Sequence, residues 1–311
     1  MLPRPPADEG FRLLDALHRL GARHVTTRED RVVALLEQGG PSVDATLADL
    51  RAAVRATTTL DPSRLEWQFV EEGEVDSEWH RDFRPFQASP RLRVIAAASQ
   101  GEARPDVAFR SDSGNRSPRP GPVPVHLLRL SPGTAFGTPA HPTTRSCLQL
   151  LDDTLSEGES LVDVGAGSGI LAIAAALLGA RGVTAIEMEA SACRAALRNC
   201  LLNGVEDRVE VRHQKAAPET LVSLEGAHGA MANLEPDILV PLLPSLARIP
   251  RPGGWLLVSG IPRSDKPRVT SRLGALDLTI RSERLADGWW SAVWVRVDPT
   301  PTEPGADPPG R

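Results

Sequence analysis

A glycine-rich turn between a buried strand and a buried helix is the feature that most constrains this chain. Residues 161–189 read LVDVGAGSGILAIAAALLGARGVTAIEME, which predicts a strand, a tight turn, a helix and a second strand. Gly165, Gly167 and Gly169 form the turn, because glycine bends sharply and lets backbone N–H groups approach a ligand. Glu187 ends the second strand, and an acid about 20 residues past such a turn can accept ribose hydroxyls. The stretch predicts a site for a nucleoside-bearing cofactor.

The spacing of the three glycines indicates which cofactor is bound. Dinucleotide sites favour G-x-G-x-x-G, whereas this turn reads G-x-G-x-G and is led by Asp163, two residues before its first glycine. That tighter form is typical of S-adenosylmethionine (SAM) methyltransferases. The alternatives are a structural strand-to-helix turn in another α/β protein and a dinucleotide oxidoreductase, which fits the glycine spacing less well.

Composition excludes several classes of protein. The 311 residues can form a sizeable core and two domains. A net charge of −5 gives no sign of a nucleic-acid footprint. The three cysteines have no metal-ligand or disulfide spacing and suit a reducing compartment. No signal-peptide core or membrane-spanning window is present in the sequence. We therefore expect a cytoplasmic protein without a metal, a membrane association or direct contact with nucleic acid. We also expect a monomer, although composition does not determine the oligomeric state.

The chain divides into four segments. Residues 1–73 predict a small α+β domain for substrate recognition, residues 74–124 an interdomain linker with a flexible Pro/Gly/Ser-rich insertion, residues 125–297 the cofactor domain, and residues 298–311 a disordered tail. Strands and helices alternate over residues 160–260, which predicts a parallel sheet covered on both faces. The last two strands are joined by a short ADG turn and predict an antiparallel hairpin at one edge.

Three local predictions concern regular structure away from the glycine turn. Residues 31–36 and 65–70 are strand candidates. A helix over residues 237–249 contains two prolines, which predict a late start or a kink.

The loop before residue 145 is a second candidate part of the site. It is followed by a helix that we expect to begin near Arg145, with Thr143 or Thr144 as its cap. The N–H groups at such a helix start can bind a carboxylate, such as that of methionine. His141 stands alone in this loop, and a structural role is its simpler interpretation. Phe136 is a candidate wall of the substrate pocket.

Aromatic residues lie between charges in the linker segment. Trp79 and Phe83 fall in residues 74–95, and the segment either forms a substrate wall or packs between the domains.

Several segments in order resemble the PrmA family, the bacterial methyltransferases of large-subunit ribosomal protein eleven. The most specific, SPGTAFGTPAHPTTRSCLQLL at residues 131–151, is similar to the family's DPG-x-AFGTGTHPTT signature and the helix after it. DVGAGSGILAIAAALLGA, NCLLNGVEDRVEV, MANL, PGGWLLVSGI and SEWHRDFRPFQASPRLRV each resemble a family counterpart. The resemblance covers roughly residues 65–297. It implies a Rossmann-like class I methyltransferase domain, with a mostly parallel seven-stranded sheet and an antiparallel C-terminal strand, preceded by a small α+β domain.

The resemblance also implies roles for individual residues. The family's SAM contacts fall on Thr144, Gly165, Glu187 and Asn233, and we expect Asp163, Gly167 and Gly169 to complete the cofactor site. Thr144 would cap a helix beside the methionine moiety, and Glu187, where the family usually has Asp, would accept both ribose hydroxyls. Asn233 would be the catalytic residue that orients an amine through its side-chain carbonyl.

The implied reaction is in-line methyl transfer to lysine or N-terminal amines of the ribosomal protein, without a dedicated catalytic base. Three departures from the family pattern concern the substrate. Pro139-Ala140 replaces Gly-Thr, NLEPD follows a different pattern after the Asn, and an obvious first strand is missing before Phe11. The alternatives are a SAM methyltransferase for another protein or a small molecule, and a non-catalytic SAM-fold binding protein.

Overall fold

The structure is a computed structural model, and it describes residues 2–3, 9–10, 13, 16–17, 20, 22–28, 31–36, 43–67, 85–97, 124–131 and 141–297.

The N-terminal part contains a three-stranded antiparallel sheet. Its strands are β1 Leu2–Pro3, β2 Ala22–Arg28 and β3 Arg31–Leu36, in the order β1-β3-β2, and helix α1 Val43–Thr57 follows. Leu13 and Leu17 are buried together with one face of α1, formed by Leu47, Leu50 and Val54.

Two expectations for this part were wrong. A first strand does exist, because Leu2 and Pro3 pair with Val32 and Arg31; two residues are too short to give a periodic signal. Residues 65–67, the described part of the expected strand at 65–70, are not in a strand but follow a short 3₁₀ helix, Pro62–Arg64.

A second small sheet joins residues on either side of the Pro/Gly/Ser-rich insertion. Strands β4 Phe86–Ser89 and β5 Leu92–Ala96 form an antiparallel hairpin, and β6 His126–Leu130 pairs parallel to β5. Leu92 and Leu128 are fully buried in the same core as the first helices of the cofactor domain. Residues 86–96 are therefore packed against the cofactor domain.

The cofactor domain is built on a seven-stranded sheet. Its strands are β7 Ser160–Val164, β8 Gly182–Glu187, β9 Val209–His213, β10 Ala227–Asn233, β11 Pro250–Pro262, β12 Leu278–Ala286 and β13 Trp289–Arg296. Their order is β12-β13-β11-β10-β7-β8-β9, and β13 is antiparallel to both of its neighbours while the remaining pairs are parallel. The predicted mostly parallel seven-stranded sheet with an antiparallel C-terminal strand is confirmed, and that strand, β13, lies between β11 and β12.

Helices cover both faces of this sheet. They are α2 Pro142–Thr154, α3 Ile170–Leu177, α4 Ala190–Asn203, α5 Pro218–Leu221, α6 Pro236–Leu246 and α7 Lys266–Gly274, with short 3₁₀ helices at Val222–Leu224 and Arg263–Asp265. Within the residues that the structure describes, no helix combines the length and apolar character needed to cross a bilayer.

Two buried clusters show why the strands are apolar on both faces. Met231 of β10 belongs to the cluster formed with α2, α3 and α4, whereas its neighbours Ala230 and Ala232 belong to the cluster formed with α6 and α7. Successive strand residues point to opposite faces, so a sheet with helices on both sides needs apolar residues at every position.

One helix start differs from expectation because proline is favoured in the first helical turn. Helix α2 begins at Pro142, not near Arg145, whereas α6 begins at Pro236, next to the predicted start at residue 237. Pro241 and Pro244 both lie inside α6, so they do not delay its start.

Candidate active site

Three predicted site residues lie in one row across the sheet. Val164 of β7 pairs with Ala232 of β10 on one side and with Ile186 of β8 on the other. The residues that follow these three are Gly165, Asn233 and Glu187, which therefore lie at the same level at the carboxyl ends of adjacent parallel strands. In open α/β sheets, ligands bind at this edge.

The three glycines of the turn all adopt conformations that side chains avoid. The φ angles are 76° at Gly165, 54° at Gly167 and 79° at Gly169. A Cβ on Gly165 would also lie 2.5 Å from Leu234 Cδ2. The close approach at Gly165 is therefore made by Leu234, the residue after Asn233.

Glu187 holds the glycine turn with its carboxylate. The Gly167 N–H donates to Glu187 Oε2 (2.9 Å), and the Glu189 N–H donates to Oε1 (2.8 Å). Glu187 is buried, so these bonds stabilise a charge that has little contact with water. Each carboxylate oxygen keeps a second lone pair that can accept a hydroxyl.

The start of α2 lies against the end of β10. His141 is the N-cap of the helix: its Nδ1 accepts the Thr143 N–H (3.3 Å), and Pro142 occupies the first turn. The expectation that Thr143 or Thr144 caps the helix was wrong. Thr144 lies inside the first turn, and its buried Oγ1 has no hydrogen-bond partner among the described residues.

Side-chain hydrogen bonds connect the start of α2 to Asn233, in the row of Gly165, Asn233 and Glu187. Asn233 Nδ2 donates to Thr143 Oγ1 (3.3 Å), and Thr143 Oγ1 is 2.7 Å from His141 Nδ1. Asn233 Oδ1 is buried and, like Ser168 Oγ in the glycine turn, has no hydrogen-bond partner in the described part of the chain. Polar oxygens from three separate elements are thus left for a ligand.

Asp163 lies one layer below this surface, within β7. It is 1% exposed, and its Oδ2 accepts the Ala172 N–H of α3 at 3.1 Å. Burial raises the pKa of Asp163 to about 7, the Ala172 hydrogen bond opposes that rise, and the negative charge of Glu187 adds to it. The position suits an acid that supports the turn from beneath.

Cys147, in the part of α2 close to Asp163, is not a nucleophile. It is fully buried, and burial raises the pKa of its thiol to about 12. A thiol with that pKa stays protonated near neutral pH. Among the described residues, no group of three or more His, Cys, Asp or Glu side chains could hold a metal ion.

The structure brings together Thr144, Asp163, the three glycines, Glu187 and Asn233. Trp79, Phe83 and Phe136, the expected pocket walls, lie outside the described residues. His141 and Thr143 were not predicted as contacts of Asn233. The spacing H-P-T-T, with proline at the second position, is the signal that could have identified His141 as the cap.

A seven-stranded sheet in this order, with β13 antiparallel to both of its neighbours, is the fold of a class I methyltransferase. A comparison with family models agrees: residues 18–296 match the model described as Ribosomal protein L11 methyltransferase (PrmA). The chain belongs to the PrmA family, as its sequence motifs indicated. It is a methyltransferase, and SAM is its methyl donor.

Individual relatives span most of the chain. The ribosomal protein L11 methyltransferase of Sorangium cellulosum is 32% identical, with 98% of this chain and 87% of the relative covered. That of Azotobacter vinelandii is 33% identical, with 94% of each covered. A crystal structure of ribosomal protein L11 methylase from Lactobacillus delbrueckii subsp. bulgaricus is similar at a TM-score of 0.55 and 26% identity, over 69% of this chain and 100% of that one.

Proposed function

We propose that this protein methylates lysine or N-terminal amines of a large-subunit ribosomal protein, with Asn233 orienting the acceptor amine. The observation that carries the proposal is the row of Asn233, Gly165 and Glu187 at the carboxyl edge of the sheet. The names of the relatives supply the substrate class, since proteins that share most of this chain are ribosomal protein L11 methyltransferases.

The residues present fit SAM. Its ribose needs an acceptor of two hydroxyls, and Glu187 has lone pairs left on both oxygens. Its amino-acid end carries a carboxylate, which the positive end of the α2 dipole favours. Thr144 Oγ1 adds a buried hydroxyl there that lacks a partner among the described residues. Gly165, Gly167 and Gly169 keep the turn free of side chains where the cofactor passes.

Methyl transfer depends more on the alignment of the acceptor amine with the methyl group than on acid or base catalysis. When bound, SAM supplies a methyl group on a sulfonium, whose neutral thioether is an excellent leaving group. Asn233 Oδ1 accepts an N–H bond from the incoming amine and directs its lone pair at the methyl carbon. Alignment of this kind contributes much of the acceleration of a two-substrate reaction.

The acceptor must arrive as a neutral amine. A poorly hydrated pocket lowers the pKa of an amine because burial disfavours the ammonium form. Leu234 is only partly exposed and lies over Gly165, so it excludes water beside Asn233. This arrangement works without a dedicated base.

The setting follows from the substrate. We infer that the protein acts in the cytoplasm, where ribosomal proteins are made, and as a monomer. A net charge of −5 supports recognition of the ribosomal protein itself, without direct contact with RNA.

The test is transfer of labelled methyl groups from SAM into total ribosomal protein from the same organism. One labelled large-subunit protein, labelled on amines and absent with Asn233→Ala, is the expected result. Label in another protein or in a small molecule would show that the substrate is not a ribosomal protein. SAM binding without any transfer would contradict the proposal.

A further inference from the structure

We propose that His141 and Thr143 form a hydrogen-bond relay that fixes the orientation of the Asn233 amide, which makes Thr143 a positioning residue for methyl transfer. The proposal rests on the proposed function of Asn233. Its basis is a chain of three contacts: Asn233 Nδ2 to Thr143 Oγ1 at 3.3 Å, Thr143 Oγ1 to His141 Nδ1 at 2.7 Å, and the Thr143 N–H to His141 Nδ1 at 3.3 Å.

The backbone contact decides the tautomer of His141. A backbone N–H can only donate, so Nδ1 of His141 accepts and carries no proton. The neutral ring therefore has its proton on Nε2. With Nδ1 an acceptor, the short contact at 2.7 Å requires that the Thr143 hydroxyl donate to it.

The direction in which the Thr143 hydroxyl donates in turn determines the orientation of the Asn233 side-chain amide. Thr143 Oγ1 has given its only proton to His141, so it can offer only lone pairs to Asn233. The –NH₂ group of Asn233 satisfies them, whereas the flipped amide would place its carbonyl oxygen against another acceptor. The relay thus turns Asn233 Oδ1 away from α2 and leaves it unpartnered among the described residues, where an acceptor amine can donate to it.

The relay is held rigidly at its far end. His141 and Thr143 are 4% and 1% exposed, and the His141 ring packs edge-on against Trp289 with the ring centroids 5.1 Å apart. His141 also caps α2, with Pro142 next to it. A side-chain amide anchored in this way loses little freedom when the acceptor arrives, which is the condition for accurate alignment.

Thr143→Val removes the hydroxyl group and keeps the shape of the side chain. We expect kcat for methyl transfer to fall about 10- to 100-fold, the effect of misplacing a reacting group by about 1 Å, with a smaller change in the affinity for SAM. Thr143→Ser keeps the hydroxyl and is expected to restore most of kcat. His141→Asn keeps a side-chain acceptor at the N-cap and is expected to retain more activity than His141→Leu.

A measurement that does not depend on turnover tests the relay separately. Asn233→Ala identifies the side-chain amide signals of Asn233 in ¹H–¹⁵N spectra of the full chain. Thr143→Val is expected to shift these signals and to speed their exchange with water, and Thr143→Ser is expected to leave them close to wild type.

The outcomes distinguish the two proposals. If the wild-type protein methylates no ribosomal protein, the proposed function fails, and the amide signals alone decide the relay. If Thr143→Val keeps full kcat or leaves the Asn233 amide signals unmoved, the relay is overturned.

Discussion

The Gly167 N–H donates to Glu187 Oε2 at 2.9 Å, so the acid at the end of β8 holds the glycine turn that follows β7. One side chain thereby shapes the cofactor loop, and the same carboxylate is the proposed acceptor of the ribose hydroxyls. The other oxygen of this carboxylate accepts the Glu189 N–H, so Glu187 links the glycine turn to the start of α4.

Glu187→Gln should weaken SAM binding. The amide nitrogen of Gln cannot accept, so one of the two backbone N–H bonds or one ribose hydroxyl loses its partner. A charge-assisted hydrogen bond contributes about 1.5–3 kcal/mol, so we expect the dissociation constant measured by calorimetry to rise roughly 10- to 100-fold. Glu189→Gln is the matched control. The Glu189 side chain is exposed and lies two residues after Glu187, so this variant should bind SAM as tightly as wild type. Equal affinities for both variants would place the ribose elsewhere.

Gly169→Ala should destabilise the protein more than Gly204→Ala. Both glycines have positive φ, 79° and 61°, and an alanine there costs about 1–2 kcal/mol. At Gly169 the new Cβ would also lie 3.1 Å from Ala196 Cβ, whereas nothing lies within 4 Å at Gly204. Urea unfolding measures both free energies. A loss at Gly204 that equals or exceeds the loss at Gly169 would show that α4 does not pack closely on the turn.

Asp163→Asn should change how stability depends on pH. Burial raises the pKa of Asp163 in the folded protein to about 7, above its ordinary value of 3.8. Between these values the unfolded chain has lost the proton that the folded chain keeps, so this group makes the folded protein less stable as pH rises from about 4 to about 7, by roughly 4 kcal/mol in all. Above about pH 7 the cost stays constant.

The measurement is the free energy of unfolding of wild type and Asp163→Asn at about pH 5 and about pH 8, both sides of the titration. The variant should gain stability relative to wild type at the higher pH. A difference between the two proteins that stays the same at both pH values would mean that Asp163 titrates normally.

Asp152→Ala should destabilise the cofactor domain at its junction with β4 and β5. Asp152 accepts from both the backbone N–H and the Nε of Arg91, and its side chain is 4% exposed. Removal of these bonds to a charged group should cost about 1.5–3 kcal/mol in urea unfolding. Asp153→Ala is the neighbouring control: its ion pair with Arg284 is exposed and should contribute less than about 1 kcal/mol. Equal losses would show that the Arg91 contact does not anchor the hairpin.

The sequence predicted the parts of the site that lie close together along the chain. The glycine turn and Glu187 are within one βαβ unit, so spacing alone indicated that they lie close together. The alternation of strands and helices predicted the doubly covered sheet. The start of α2 was placed too late because the cap was assigned to a threonine, while the histidine before Pro142 makes that bond.

Contacts between distant segments could not be predicted in the same way. Asn233 and Thr143 are 90 residues apart and meet because β10 ends and α2 begins at the same edge of the sheet. The two-residue β1 and the pairing of β5 with β6 across residues 98–123 likewise depend on tertiary packing, for which local periodicity carries no signal.

A crystal structure of the protein with S-adenosylhomocysteine tests the proposed cofactor site most directly. We expect ribose hydroxyls on Glu187, the amino-acid end at the start of α2 near Thr144, and the sulfur facing Asn233. A ligand bound away from the row of Asn233, Gly165 and Glu187, or no binding at all, would contradict this assignment.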